Sequence, residues 1–133
     1  MQARGWLVGL SSLVLVGCGT VDTCNDGSGG IRLFGKDPVA QKLDFGVKEY
    51  EEGNYVASMN ALQSVLETRL AGSDDKIDAY KYLAFIQCIS GRERLCKDYF
   101  RKVLAIQPNF ELTPAEAGHP LWGPAFRSVK GKK

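Results

Sequence analysis

The chain repeats one pattern of two helices joined at a glycine, and the second copy follows the first with an offset of 38 residues. With this offset, Gly46 aligns with Ala84, Gly53 with Gly91, and Leu62 with Phe100. Apolar residues recur at helical spacing in both copies, first between Asp37 and Leu70 and then in the segments 74–90 and 92–106. No segment shows the alternation of β-branched residues that is typical of strands, so the sequence predicts an all-α domain.

The second copy, residues 77–108, resembles the tetratricopeptide repeat, a helix–turn–helix unit with a period of about 34 residues. The matching positions are Tyr80, Leu83, Ala84, Gly91, Cys96, Phe100 and Pro108. The first copy retains fewer of them, namely Phe45, Gly46, Gly53, Ser58 and Leu62. The resemblance implies a short array of helical hairpins over residues 37–110. The alternative is an unrelated pair of helical hairpins with glycine turns.

Residues 111–133 are expected to cap this array, because two hairpins are fewer than the three or so repeats that normally bury a continuous core. Thr113 and Glu116 have capping-box spacing, and Pro120 is expected to begin a last short helix. The apolar stripe of that helix consists of Leu121, Trp122, Ala125, Phe126 and Val129. Such a stripe is typical of a capping helix at the open end of a solenoid, and the alternative is an exposed docking helix for a partner.

Residues 1–17 have the composition of a secretory signal, with a basic start at Arg4 and an apolar run over residues 6–16 that is too short to cross a membrane. The run ends in the letters LVGC (15–18), which resemble the bacterial lipobox. This resemblance implies cleavage before Cys18 and acylation of Cys18, and several acyl chains make a stable membrane anchor. The alternative is an ordinary secretory signal in which Cys18 is an incidental thiol.

Residues 18–36 are the predicted tether between the lipid and the folded domain, because they are rich in glycine and lack a periodic apolar pattern. Gly19, rather than an aspartate, follows Cys18. By the enterobacterial sorting rule this favours the outer membrane, with the domain facing the periplasm. The inner membrane remains the alternative.

Charge and residue content argue against several functions. The formal net charge is +2, and the 17 basic and 15 acidic residues are largely interleaved, so nucleic acid is not an expected partner. His119 is the only histidine, and the spacing of Cys88 and Cys96 does not match a Cys-x-x-Cys pair, so the sequence predicts no metal site and no cofactor. One histidine followed by proline supports no catalytic triad or Cys–His pair. We therefore expect neither an enzyme nor a protein that binds a small-molecule substrate.

Cys88 and Cys96 lie at the end of the third predicted helix and the start of the fourth, so they face each other if the chain turns back at Gly91. A periplasmic location permits a disulfide between them. The alternative is two buried thiols that pack as small apolar side chains. If the disulfide forms, Cys24 remains in the tether, where it can pair with another chain.

In tetratricopeptide repeats the first helix of each unit lines a concave groove that binds peptides or helices, and the resemblance implies such a partner-binding groove here. Carried over by position, its residues are Leu43, Val47, Tyr50, Asp78, Lys81, Phe85 and Ile89. Much of this set is apolar, and Phe85 is the expected centre of partner binding. The surface suits an apolar helix of a partner. It suits the chain's own C-terminal segment equally well.

As a whole, residues 15–129 resemble the short repeat-containing lipoproteins encoded with type VI secretion systems, the TssQ-type accessory lipoproteins. The resemblance rests on the lipobox, the second hairpin and the ending PNFELTPAEAGHPLWGPAFRSVK (108–130). It implies a membrane-anchored adaptor that mediates protein–protein interactions in the membrane complex of a secretion apparatus. One alternative is a lipoprotein that assists the assembly of pili or outer-membrane proteins. Another, of a different class, is a periplasmic thiol-redox protein or enzyme.

Overall fold

The computed structural model describes residues 37–131, which form six α-helices and contain no β-strand. In chain order the helices are α1 (Pro38–Glu51), α2 (Tyr55–Glu67), α3 (Ser73–Ile89), α4 (Glu93–Ile106), α5 (Pro114–Ala117) and α6 (Trp122–Lys130). The predicted all-α fold is confirmed. Within residues 37–131 no helix has both the length and the apolar character needed to span a membrane. The predicted signal peptide and tether, with Cys18 and Cys24, lie outside the described residues.

The ends of the helices in the two hairpins follow local sequence signals. Asp37 caps α1 by accepting a hydrogen bond from the Val39 N–H at 2.9 Å, and Pro38 stands at the start of the helix. Gly53 and Gly91 join the two helices of each hairpin with φ angles of 82° and 72°, a left-handed conformation that favours glycine. Both turns therefore lie at the residues that the repeated pattern predicts.

Small residues allow the two helices of each hairpin to approach closely. In the first hairpin, a Cβ added at Gly46 would lie 2.9 Å from the Leu62 side chain, and the Ser58 hydroxyl donates a hydrogen bond to the Gly46 carbonyl at 2.7 Å. In the second hairpin, Ala84 and Cys96 are fully buried in one cluster. These are equivalent positions under the 38-residue offset, so the array of helical hairpins has the predicted tetratricopeptide-like register.

Two apolar clusters form the core, and α3 contributes to both. The first cluster lies between the first hairpin and α3 and contains Val39, Leu62, Val65, Ala71, Ala79, Leu83 and Ile86. The second lies between the second hairpin and the C-terminal segment and contains Ala84, Phe85, Cys88, Cys96, Phe100, Leu112, Trp122, Ala125, Phe126 and Val129. The C-terminal segment thus caps the array, as predicted, and is not an exposed docking helix.

The C-terminal cap differs from its prediction in detail. The capping box is present, because the Glu116 N–H donates to the Thr113 hydroxyl and the Thr113 N–H donates to the Glu116 carboxylate, at 3.3 and 2.9 Å. However, α6 begins at Trp122 and not at Pro120. A backbone N–H donates to Nδ1 of His119 at 3.2 Å, which holds the chain in a turn before the helix. Leu121 precedes this later start and is half exposed, so it does not belong to the buried stripe.

Candidate binding face

The predicted groove corresponds to one face of the fold, formed by the first helix of each hairpin, which we call the α1–α3 face. The predicted residues on it are Leu43, Val47 and Tyr50 of α1 and Asp78, Lys81, Phe85 and Ile89 of α3. Helices α1 and α3 are in direct contact. All of these residues except Phe85 are partly exposed. The structure therefore brings the two halves of the predicted surface together, with one member covered.

An aromatic cluster joins α1 and α3 on this face. The Tyr50 ring lies 5.2 Å from the Tyr82 ring and 6.2 Å from the Phe85 ring, measured between centroids, and Tyr82 and Phe85 are 5.7 Å apart. Tyr82 was not among the predicted residues, although Asp78, Tyr82, Phe85 and Ile89 follow one stripe at regular helical spacing. That spacing is the signal that identifies Tyr82 as a residue of the face.

A group of charged side chains lies beside the tyrosines. The Lys81 ammonium is 3.1 Å from the Glu116 carboxylate of α5 and 3.5 Å from the carboxylate of Asp78, and it lies 4.8 Å from the centre of the Tyr82 ring. The side chains of Lys81 and Glu116 are only 13% and 19% exposed, whereas that of Asp78 is 48% exposed. Glu116 was predicted only as a helix cap, so its bond to α3 is a contact that the sequence pattern did not indicate.

Glu116 and Lys81 each favour the charged form of the other. Burial by itself would raise the pKa of Glu116, but the Thr113 N–H and the Lys81 ammonium outweigh burial and hold that pKa below its ordinary value. Burial by itself would lower the pKa of Lys81, but the Glu116 carboxylate outweighs burial, and that pKa is raised. The two groups therefore form an ion pair that ties the C-terminal cap to α3 across the physiological pH range.

The two tyrosines remain neutral under the same conditions. Burial raises the pKa of Tyr50 to about 12, with a further contribution from the nearby Tyr55. Burial also raises the pKa of Tyr82, and the Lys81 ammonium opposes this shift without cancelling it. Both phenols therefore keep their protons and can donate a hydrogen bond.

Phe85 is covered by the chain itself. Its side chain is 2% exposed, because the indole of Trp122 stacks on it with ring centroids 4.4 Å apart and an interplanar angle of 23°. The His119 ring lies in turn against Trp122. The prediction that Phe85 is an exposed contact for a partner is therefore wrong, because the C-terminal helix α6 packs against it. Ile89, one turn further along α3, packs partly against the same cluster.

The two cysteines of the second hairpin form a disulfide in the structure, so the alternative of two free thiols does not apply. The Cα atoms of Cys88 and Cys96 are 5.2 Å apart, and the bond links the end of α3 to the start of α4. The two residues are 8% and 0% exposed. The disulfide is part of the core and does not contribute to the α1–α3 face.

The rest of the α1–α3 face combines apolar and polar side chains. Leu43 and Val47 continue the surface of α1 from Tyr50 with apolar side chains, and Asp78 adds a partly exposed hydrogen-bond acceptor. No group of three or more His, Cys, Asp or Glu side chains within residues 37–131 is arranged to hold a metal ion.

Comparisons with protein-family models, curated proteins and solved structures found no match to this chain.

Proposed function

We propose that this chain is an adaptor lipoprotein that binds another protein through the α1–α3 face while its lipid anchor holds it at a bacterial membrane. The observation that carries the proposal is the pair of partly exposed tyrosines, Tyr50 and Tyr82, which pack edge to face with their ring centroids 5.2 Å apart. Tyrosine supplies a large contact area and a hydrogen-bonding hydroxyl with little loss of conformational entropy, which is why it is enriched where proteins bind each other.

The surroundings of the tyrosine pair favour binding because they are already ordered. Each ring contacts its aromatic neighbours, and the Lys81–Glu116 ion pair links α3 to α5 beside them. A partner therefore meets side chains that already contact one another, which reduces the entropic cost of ordering them on association. The apolar side chains of Leu43 and Val47 extend the surface along α1, so an amphipathic helix or an extended apolar segment is the class of ligand that fits.

The sequence supports an outer-membrane location for this adaptor. The lipobox ending in Cys18 supports acylation and membrane attachment, and Gly19 supports the outer membrane with the domain in the periplasm. The resemblance to TssQ-type accessory lipoproteins supports a partner in the membrane complex of a type VI secretion apparatus. The assembly of pili or outer-membrane proteins is the competing role for the same kind of adaptor. The burial of the Cys88–Cys96 disulfide disfavours thiol exchange, which requires access to sulfur.

The proposal is tested by affinity capture of the tagged full chain from the membranes of its own bacterium, followed by mass spectrometry of the captured proteins. Val47→Arg places a long cation on the α1–α3 face, and Leu70→Arg places the same side chain at a site that is 79% exposed and away from it. We expect Val47→Arg to lose the partner and Leu70→Arg to keep it. Thermal unfolding of both variants must stay close to that of the wild type for the comparison to hold.

The identity of the captured proteins separates the two roles. Membrane-complex proteins of a type VI apparatus support the secretion role, and pilus or outer-membrane assembly proteins support the competing one. If Val47→Arg folds normally and retains every partner that the wild type captures, the α1–α3 face is not the binding surface.

A further inference from the structure

A second surface lies on the outer side of the first hairpin, and the proposed function does not use it. One groove of about 690 Å³ runs between α1 and α2, where Pro38, Lys42 and Phe45 face Ala57, Ala61 and Ser64. A second groove of about 580 Å³ continues it toward the turn of the hairpin and shares Ala57 and Asn60 with the first. We call this continuous surface the outer α1–α2 face.

Apolar side chains are exposed on this face. The Phe45 side chain is 51% exposed and Val56 is 70% exposed, although both are large apolar residues. The opposite side of the hairpin is covered by α3, and the far end of the array is covered by α6. Within residues 37–131 nothing comparable covers the outer α1–α2 face. Phe45 and Val56 line the two adjoining grooves, so an apolar side chain is available to a second molecule in each of them.

The shape of the face is self-complementary. Phe45 of α1 is half exposed, whereas the neighbouring α2 lines the groove with the small side chains of Ala57 and Ala61. When a second copy is turned by a two-fold axis that passes through Phe45, the two Phe45 side chains meet at the centre, and the small alanine side chains beside them leave room for the rings. This is the arrangement of an isologous interface, in which one patch contacts its own equivalent.

The charged residues of α1 on this face are also arranged so that two copies related by a two-fold axis place opposite charges together. Lys42 lies three residues before Phe45 and Glu49 lies four residues after it, so the three share one stripe of α1 with a cation at one end and an anion at the other. When two α1 helices pair antiparallel around Phe45, Lys42 of each copy meets Glu49 of the other. A parallel pairing would instead place like charges opposite each other.

We propose that the outer α1–α2 face binds a second copy of this chain, with the two α1 helices antiparallel and centred on Phe45. The dimer leaves both α1–α3 faces accessible, so two adaptor sites would be presented together. A ligand with two matching segments would then be held with higher avidity than a single site allows. This proposal does not depend on the identity of the partner at the α1–α3 face.

The test uses photo-crosslinking of the full chain in the bacterium, with p-benzoylphenylalanine replacing Val56 on the outer α1–α2 face. The same residue in place of Leu70, which is exposed elsewhere, is the matched control. We expect the first position, and not the second, to yield an adduct that mass spectrometry identifies as two copies of the chain. Adding Phe45→Glu should reduce this adduct about tenfold or more, because it buries a charge at the centre of the interface.

Charge exchange tests the antiparallel register. Lys42→Glu and Glu49→Lys should each weaken the adduct, since each places like charges opposite each other, and the double variant should restore it. Failure of the double variant to restore the adduct would overturn the register. An adduct between position 56 and residues 19–36 of the same chain, an adduct with a different protein, or no adduct at all would overturn the dimer itself.

Discussion

Phe85 of α3 and Trp122 of α6 are stacked, with their ring centroids 4.4 Å apart. This contact joins a residue predicted to bind a partner to a residue predicted to cap the fold. It covers Phe85 and leaves Tyr50 and Tyr82 as the partly exposed aromatic residues of the α1–α3 face. Phe85, which packs against the C-terminal cap, and Tyr82, which is proposed to bind a partner, are therefore neighbours on α3.

Removal of the indole should destabilise the whole domain. Trp122→Ala deletes a buried ring that packs against Phe85, and such a truncation costs about 3–5 kcal/mol. Leu121→Ala is the matched control, because Leu121 is the preceding residue and is 50% exposed. Denaturant unfolding followed by circular dichroism measures both variants. Equal midpoints for the two would show that α6 does not close the core.

A large side chain at the crossing of the second hairpin should be poorly tolerated. Ala84 of α3 is fully buried in one cluster with Cys96 and Phe100 of α4. Ala84→Phe therefore overpacks the contact between the two helices and should lower the free energy of unfolding by on the order of 1–3 kcal/mol or more. Ala105→Phe adds the same ring to an exposed position of α4 and should change little. A thermal melt of Ala84→Phe that matches the wild type would mean that the register of the hairpin is wrong.

Loss of the disulfide should lower the thermal stability without removing the fold. The Cys88–Cys96 bond closes a short loop, for which constraint of the unfolded chain contributes about 2–3 kcal/mol. For a domain of this size that amounts to a decrease in Tm on the order of 10–20 °C. The comparison is between the wild type and the double variant Cys88→Ala with Cys96→Ala. The melt of the double variant should be insensitive to reductant, and a Tm equal to that of the oxidised wild type would contradict the structural role.

The ion pair between α3 and the C-terminal cap should make stability depend on pH at the extremes. The pKa of Glu116 is lowered from 4.5 in the fold, so its contribution is present above about pH 4.5 and is lost as the pH falls through the lower folded value. The pKa of Lys81 is raised from 10.5, so its contribution is present below that pH and is lost only at higher pH. Between these limits the pair stabilises the domain.

Glu116→Gln tests this expectation, because glutamine keeps an acceptor for the Thr113 N–H and removes the charge. We expect its Tm to lie a few degrees below that of the wild type near neutral pH, and the difference to shrink as the pH falls below 4.5. Glu67→Gln, at the exposed end of α2, is the control for the loss of one carboxylate. A difference that stays constant down to pH 2 would show that the Lys81 ion pair is not its source.

Membrane attachment should depend on Cys18. Because the lipobox places this thiol at the site of acylation, Cys18→Ser should leave the protein unprocessed or release it from the membrane fraction. Fractionation of cells that express the full chain, with metabolic labelling by a fatty acid, measures both effects. A Cys18→Ser protein that is still cleaved and still membrane-bound would remove the basis for the lipoprotein assignment. Cys24→Ser is the matched control and should remain labelled.

The hairpins of the fold were predictable because their signals are local. The glycine turns, the Asp37 cap and the small residues at Gly46 and Ala84 lie within the helices or turns that they define. Helical periodicity then specifies which residues share a face, whatever the rest of the chain does. Helical spacing also identifies the residues of the α1–α3 face, and it places Tyr82 on the same stripe of α3 as Phe85.

Only the tertiary structure decided which side chains of each helix face are covered. Phe85 and Tyr82 are neighbours on one stripe of α3, yet Phe85 is buried and Tyr82 is partly exposed, because Trp122 returns from far along the chain to cover one of them. Likewise, the capping box predicts the bond of Glu116 to Thr113 but not its bond to Lys81. The sequence by itself determined the helices and their apolar faces, since these depend on bonds and spacings within a few turns. Which apolar faces are covered depends on where distant segments pack, and only the folded chain decides that.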